Sequence, residues 1–167
     1  MKHEVRLIGG QWKKSKLPVA DRPGLRPTPD RVRETLFNWL GQDLTGWRVL
    51  DAFAGSGALG FEAASRGAGE VVLLERDAML ARSLAVSKAR LKADALQVHA
   101  TDALSWMASA AHGRFDLVLL DVDNGPDALA HAENDRIYGA AGIAAIAGGL
   151  RAGGVLGLWS FSDDPSL

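Results

Sequence analysis

Trp47-Arg48-Val49-Leu50-Asp51-Ala52-Phe53-Ala54-Gly55-Ser56-Gly57-Ala58-Leu59-Gly60 is the stretch on which the fold turns. An apolar strand ends in an acid, a turn of small residues follows, and a helix opens at Ala58 and runs to Arg66, where Gly67 closes it. Gly55, Gly57 and Gly60 satisfy G-x-G-x-x-G, which alone is weak evidence. Between a strand and a helix it means more. The glycines let the backbone pass close to a ligand, and the free N–H groups of the helix start face it.

Downstream, the chain alternates between the two kinds of segment. Glu70 to Glu75 is a second strand, and Asp77 caps a helix running to about Lys92, with Leu80, Leu84 and Leu91 near helical spacing. Leu96 to His99 is a third strand, and Asp102 caps a helix over Ala103 to Ala110. Phe115 to Asp121 is nearly all apolar, as a strand buried on both faces should be. An Ala-rich helix from about Ala140 to Leu150 and a strand over Gly154 to Trp159 complete the series. Such alternation predicts an α/β fold, a parallel sheet with helices on both faces, here expected to lack the last strands of the doubly wound pattern.

Upstream, Val5 to Ile8 reads as a short strand. Residues 11–29 are basic, and Pro18, Pro23, Pro27 and Pro29 exclude a long helix. Asp30 is then expected to cap a helix with Val32, Leu36, Phe37 and Leu40 on its apolar face, ended by Gly41 or Gly46. The expected organisation is a basic N-terminal arm and helix over residues 1–40, followed by a single globular unit over 41–167.

Charge supports that division. Residues 1–33 carry nine Lys and Arg against three acids, a net +6, and the remainder carries −7, so the net charge of −1 conceals an asymmetric chain. A basic segment on an acidic body suggests a polyanionic partner for that segment alone, or a tail that pairs with the body. The absence of cysteine excludes disulfides, thiolate metal sites and a cysteine nucleophile. His3, His99, His112 and His131 show no metal-ligand spacing, and no metal is expected. No signal-peptide pattern and no apolar run long enough to span a bilayer are present, so a cytoplasmic monomer that makes no use of a membrane is expected.

Two carboxylates discriminate between cofactors. Asp51 lies four residues before Gly55, where the phosphates of a dinucleotide would be repelled. S-adenosylmethionine has no phosphate there and carries a sulfonium and an ammonium, which an acid favours. Glu75 is placed to accept from ribose hydroxyls, and Asp102 from an adenine amino group. Both acids also have plain structural uses, Asp51 in the turn and Asp102 as a helix cap.

Residues 6–67 resemble the bacterial 16S rRNA guanine-N2 methyltransferases of the RsmD type. The resemblance rests on Arg6 to Trp12, Lys16-Leu17-Pro18, the long stretch Gly24 to Leu40, and Asp51 to Gly60, and continues more loosely to about Asp121. It implies a Rossmann-like class I methyltransferase fold and S-adenosylmethionine as cofactor. Candidate cofactor contacts are Asp51, Phe53, Ala54, Gly55, Ser56, Gly57, Glu75, Arg76, Asp102, Ala103 and Asp121. It also implies a 16S rRNA or small-subunit partner, with Arg6, Lys16, Arg26, Arg31 and Arg33 as phosphate-facing candidates.

The chain departs from that family after the fourth strand. The family carries Asp-Pro-Pro-Phe/Tyr, whose Asp and carbonyl accept from the guanine amine while the ring stacks on the base. Here Asp121-Val122-Asp123-Asn124 stands instead, with Asp121 and Asn124 as the remaining candidate catalytic groups. Residues 121–164 resemble the C-terminal part of spermidine-synthase-like proteins, through Asp121 to Asp127, Tyr138, Gly142, Leu150 to Leu156 and Trp159-Ser160. Alternatives to the rRNA methyltransferase are therefore an aminopropyltransferase, with Asp121, Asp123 and Asp127 binding a polyamine, and a cofactor-binding scaffold or hybrid chain with impaired catalysis.

Overall fold

His3–Arg6 (β1) and Lys16–Val19 (β2) pair antiparallel in the computed structural model, which describes residues 3–21, 27–110, 112–122 and 136–160. The expected strand at 5–8 thus lies two residues earlier. Its partner falls inside the basic, Pro-rich segment for which only a long helix is excluded; Leu17 and Val19 turn inward while Lys16 and Pro18 face solvent. The connecting loop is closed by Leu7 N–H to Ser15 O at 2.8 Å and Lys14 N–H to Leu7 O at 2.9 Å.

Helix α1 (Asp30–Leu40) also begins differently from expectation. Pro29 occupies the cap position and Asp30 is already helical, so its carboxylate does not cap the helix but pairs with Arg33. Proline suits a helix start because it has no N–H to leave unpaired. Gly41 ends the helix.

The main sheet contains β3 (Arg48–Asp51), β4 (Glu70–Glu75), β5 (Leu96–Ala100), β6 (Phe115–Val122) and β7 (Leu150–Ser160), in the order β5-β4-β3-β6-β7, all parallel. Between them run α2 (Ala58–Ser65), α3 (Ala78–Leu91), α4 (Ala103–Ala110) and α5 (Ala140–Gly149), the last preceded by a helical turn at 136–138. Asp77 caps α3 as expected, its Oδ1 accepting from Met79 N–H at 2.8 Å.

Alternation along the central strands divides the core. Val49, Val71, Leu73, Leu117 and Leu119 pack on one face with Phe37, Phe61, Leu84 and the β1–β2 hairpin. Leu50, Val72, Leu74, Val118 and Leu120 pack on the other with Met107 of α4 and Ile146 of α5. Strands apolar at every position are what double coverage demands.

β7 starts four residues before the expected Gly154 and carries a register irregularity opposite Phe115–Leu117. It forms one edge of the sheet, with Val155, Leu156 and Leu158 partly exposed. An apolar trough of about 600 Å³ lies between this strand and α1, with Leu36, Trp39 and Trp47 in its wall.

The hairpin is fixed to the main body by a buried carboxylate. Glu62, the one acid in α2, accepts from Ile8 N–H (3.1 Å), Gly9 N–H (2.9 Å), Arg33 Nη1 (3.4 Å) and Arg66 Nη2 (3.0 Å). Glu62 and Arg33 are fully buried, and Ser65 adds a hydroxyl donated to Gly9 O at 2.6 Å. A buried charge persists only when paired and hydrogen-bonded, and here every partner comes from the clasp itself.

Candidate active site

The strand order reverses at β3. From it the chain goes to β4 and β5 on one side, then returns to β6 and β7 on the other. The crevice at the C-terminal ends of strands beside such a switch is where open α/β sheets hold ligands. Asp51 ends β3, Glu75 ends β4, Asp102 follows β5 and Asp121 lies near the end of β6. The four acids therefore form a row along one rim of the sheet.

The glycine turn is stitched to its neighbours. Ala52 N–H donates to Leu119 O at 3.1 Å and Ala54 N–H to Leu74 O at 3.0 Å. Gly57 starts α2 in the left-handed region (φ 82°), and a Cβ there would sit 2.6 Å from Leu84. Gly60 has a different role. Its N–H donates to Asp51 Oδ2 at 3.0 Å, and a Cβ would lie 2.1 Å from a Leu73 methyl carbon. It permits helix–strand packing instead of ligand approach.

Asp51 is buried, and among the described residues its Oδ1 is the one buried side-chain polar atom without a partner. Burial, reinforced by the nearby Asp121 and Glu75 charges and only partly offset by Gly60 N–H, pushes its pKa up to about 7. Glu75 holds the loop: Oε2 accepts from Gly55 N–H at 2.9 Å and Oε1 from Asp77 N–H at 3.0 Å. A carboxylate oxygen has a second lone pair, so both remain able to accept from a ligand hydroxyl.

Asp102 Oδ2 accepts from Ser105 N–H (3.1 Å), Ser105 Oγ (2.8 Å) and Arg136 Nη2 (3.3 Å). Burial opposes its ionisation, but these donors together hold it below the ordinary carboxylate value. It caps α4 as expected, with an arginine partner that sequence reasoning missed. A cavity of about 110 Å³ runs between these acids, bringing Phe53, Glu75, Arg76, Asp102 and Ala103 together with Arg136 and Ile137. The last two residues follow β6 in the chain, and no spacing in the sequence points to them.

Asp121 is half-buried, and its Oδ2 accepts from the Thr28 hydroxyl. Asn124 lies outside the described residues. Of the phosphate-facing candidates, Arg6, Lys16 and Arg31 are exposed, while Arg26 lies outside the described residues. Lys16 stands 3.1 Å from Glu4, and Arg6 stands 3.8 Å from Asp30.

Arg33 must be removed from that set. It is fully buried, with Nε on Thr28 O (3.1 Å), Nη1 on Arg6 O (2.9 Å) and Glu62, and Nη2 on Asp30. Burial lowers its pKa against the pull of Glu62 and Asp30. Its donors are occupied inside the fold and no face remains for a phosphate.

Residues 5–122 match the family described as conserved hypothetical protein 95. The Ribosomal RNA small subunit methyltransferase D of Escherichia coli (strain K12) is 52% identical over 105 residues, 63% of this chain and 53% of the relative. That of Haemophilus influenzae is 46% identical over 125 residues, 72% of this chain and 64% of the relative. The chain thus spans about half to two thirds of the length of these relatives. The solved structure of the Escherichia coli protein yhhF is 37% identical, covers 89% of this chain and 75% of that one, and superposes with a TM-score of 0.72.

Proposed function

Because this chain belongs to the family described as conserved hypothetical protein 95, we propose that it binds S-adenosylmethionine and transfers methyl groups to N2 of a guanine in 16S rRNA. Its fold is the Rossmann-like class I methyltransferase fold. The observation that carries the proposal is the acidic rim around the glycine turn, with the unpartnered Asp51 Oδ1 at its centre. A dinucleotide would set phosphates beside that oxygen, whereas a sulfonium and an ammonium offset its burial. The names of the relatives extend the reading to rRNA.

In this reading Glu75 accepts from the ribose and Asp102 from the adenine edge, with Phe53 and Ile137 lining the cavity between them. When bound, S-adenosylmethionine supplies the electrophilic methyl. Methyl transfer to an exocyclic amine needs little acid–base assistance, so the protein's part is alignment and an acceptor for the amine protons. Asp121 is that acceptor, at the strand tip beside Asp51. Arg6, Lys16 and Arg31 contact the RNA backbone from one side of the site.

Labelled methyl transfer to 16S rRNA, or to small subunits lacking the modification, tests the proposal. No incorporation by protein that binds the cofactor would refute the enzyme and leave the binding site. A second reading, a cofactor-binding scaffold, is favoured by Val122-Asp123-Asn124 where the resembled family has Pro-Pro-Phe/Tyr. Loss of the aromatic platform costs roughly 1–3 kcal/mol of base stacking. Under that reading, activity appears only after Val122→Pro, Asp123→Pro and Asn124→Phe are combined.

A further inference from the structure

Thr28 lies between Pro27 and Pro29, 93 residues from Asp121 in the chain, and is 5% exposed. Both of its polar ends are committed. Its carbonyl accepts from Arg33 Nε at 3.1 Å, and its hydroxyl donates to Asp121 Oδ2. Arg33 is held in turn by Glu62, Asp30 and the Arg6 carbonyl. The flanking prolines fix φ on either side and add no competing donor. The threonine is therefore a rigid strut running from the buried clasp to the tip of β6.

The strut ends where like charges meet. Asp121 lies on β6 two residues beyond Leu119, the register partner of Asp51, and its charge and that of Glu75 on β4 both raise Asp51. Adjacent carboxylates resist joint ionisation, so the surroundings decide which one keeps a proton. Asp51 receives one backbone N–H and retains an oxygen with no partner. Asp121 receives a hydroxyl, and a donor to a carboxylate favours its charged form.

Resting on the function proposed above, we propose that Thr28 is a positioning residue. Its hydroxyl, donated to Oδ2, orients the Asp121 carboxylate as the acceptor for the substrate amine. The basic N-terminal segment thereby contributes to the chemistry as well as to RNA contact.

Two variants test this. Thr28→Val removes the hydroxyl at nearly constant shape, and Thr28→Ser keeps it; should the valine variant not fold, Thr28→Ala serves in its place. Carboxyl-carbon NMR titration of the ligand-free proteins is expected to show about tenfold higher proton affinity at Asp121 in Thr28→Val. Thr28→Ser should titrate like the parent.

In methyl-transfer assays, Thr28→Val should lower kcat about tenfold on the neutral plateau, through lost orientation of Asp121, and separately move the acid limb upward by about one pH unit. The KM for S-adenosylmethionine should stay unchanged, and Thr28→Ser should recover both rate and profile. An Asp121 titration that is the same in parent and Thr28→Val overturns the assignment, whatever happens to the melting temperature. A parent without methyl transfer refutes the function proposed above, and the NMR comparison still decides the role of the hydroxyl.

Discussion

Cofactor binding should be strongly pH-dependent through Asp51. In the ligand-free protein burial lifts this carboxyl to about 7, so it is largely protonated at pH 5.5 and largely ionised at pH 8. A cationic ligand favours the ionised form and must displace the proton when it binds at low pH. With one linked proton the apparent Kd scales as one plus the ratio of proton concentration to acid constant. Binding at pH 5.5 should then be about thirtyfold weaker than at pH 8, or about 2 kcal/mol at 1.36 kcal/mol per tenfold. Calorimetric titration of S-adenosylmethionine in two buffers of different ionisation enthalpy reads both the affinity and the protons released. Close to one proton should leave at pH 6, and Asp51→Asn should bind more weakly at pH 8 with a flat profile. Binding equally tight at pH 5.5 and 8, or with proton uptake, would refute the reasoning. The same carboxyl affects folding in the opposite sense. Because its folded pKa lies above the ordinary 3.8, its ionisation destabilises the ligand-free protein progressively between about pH 4 and 7, by about 4 kcal/mol in full. Asp51→Asn should accordingly be more stable than the parent at pH 8 and lose that advantage at pH 4.

Three further outcomes are expected. Arg33→Met leaves Glu62 buried with one partner fewer and should destabilise by about 3–5 kcal/mol in denaturant unfolding, whereas a phosphate-contacting arginine would leave stability nearly unchanged. Gly60→Ala drives a methyl against Leu73 and should cost about 1–3 kcal/mol, measured as a lowered melting temperature with S-adenosylmethionine binding weakened as the turn is displaced. Arg31→Ala and Lys16→Ala should each reduce the salt slope of RNA binding by about one while leaving unfolding curves in place, and an unchanged slope removes that residue from the interface.

The parallel sheet was legible because its strands and helices announce themselves differently. Val71 to Leu74 and Leu117 to Leu120 are unbroken apolar runs, and Asp77 and Asp102 stand at helix starts, where each carboxylate accepts from a backbone N–H of the first turn. The resemblance over residues 6–121 is borne out by the family match over 5–122. The N-terminal hairpin was hidden because Leu17 and Val19 alternate with a lysine and a proline inside a basic stretch. β7 was shortened for a related reason: Arg151-Ala152-Gly153-Gly154 reads as a turn, and Gly153 does adopt φ 76°, yet the strand runs through it. At the site, the row of acids could be read from strand ends. The Thr28–Asp121 contact and Arg136 could not, because they join segments far apart in sequence with no shared periodicity. Arg33 was misassigned because the resemblance that offered it as a phosphate contact does not distinguish a solvated guanidinium from one consumed by Glu62.

The Glu62 clasp changes what kind of object an RNA would meet. Arg6 and Lys16 sit on a hairpin already welded to the sheet, not on a tail that must condense around its target. Association through them carries little ordering entropy, so heat-capacity changes on docking should reflect contact area and not segment folding. Unfolding should likewise show the hairpin amides of Val5 and Leu17 exchanging with solvent only as the whole domain opens.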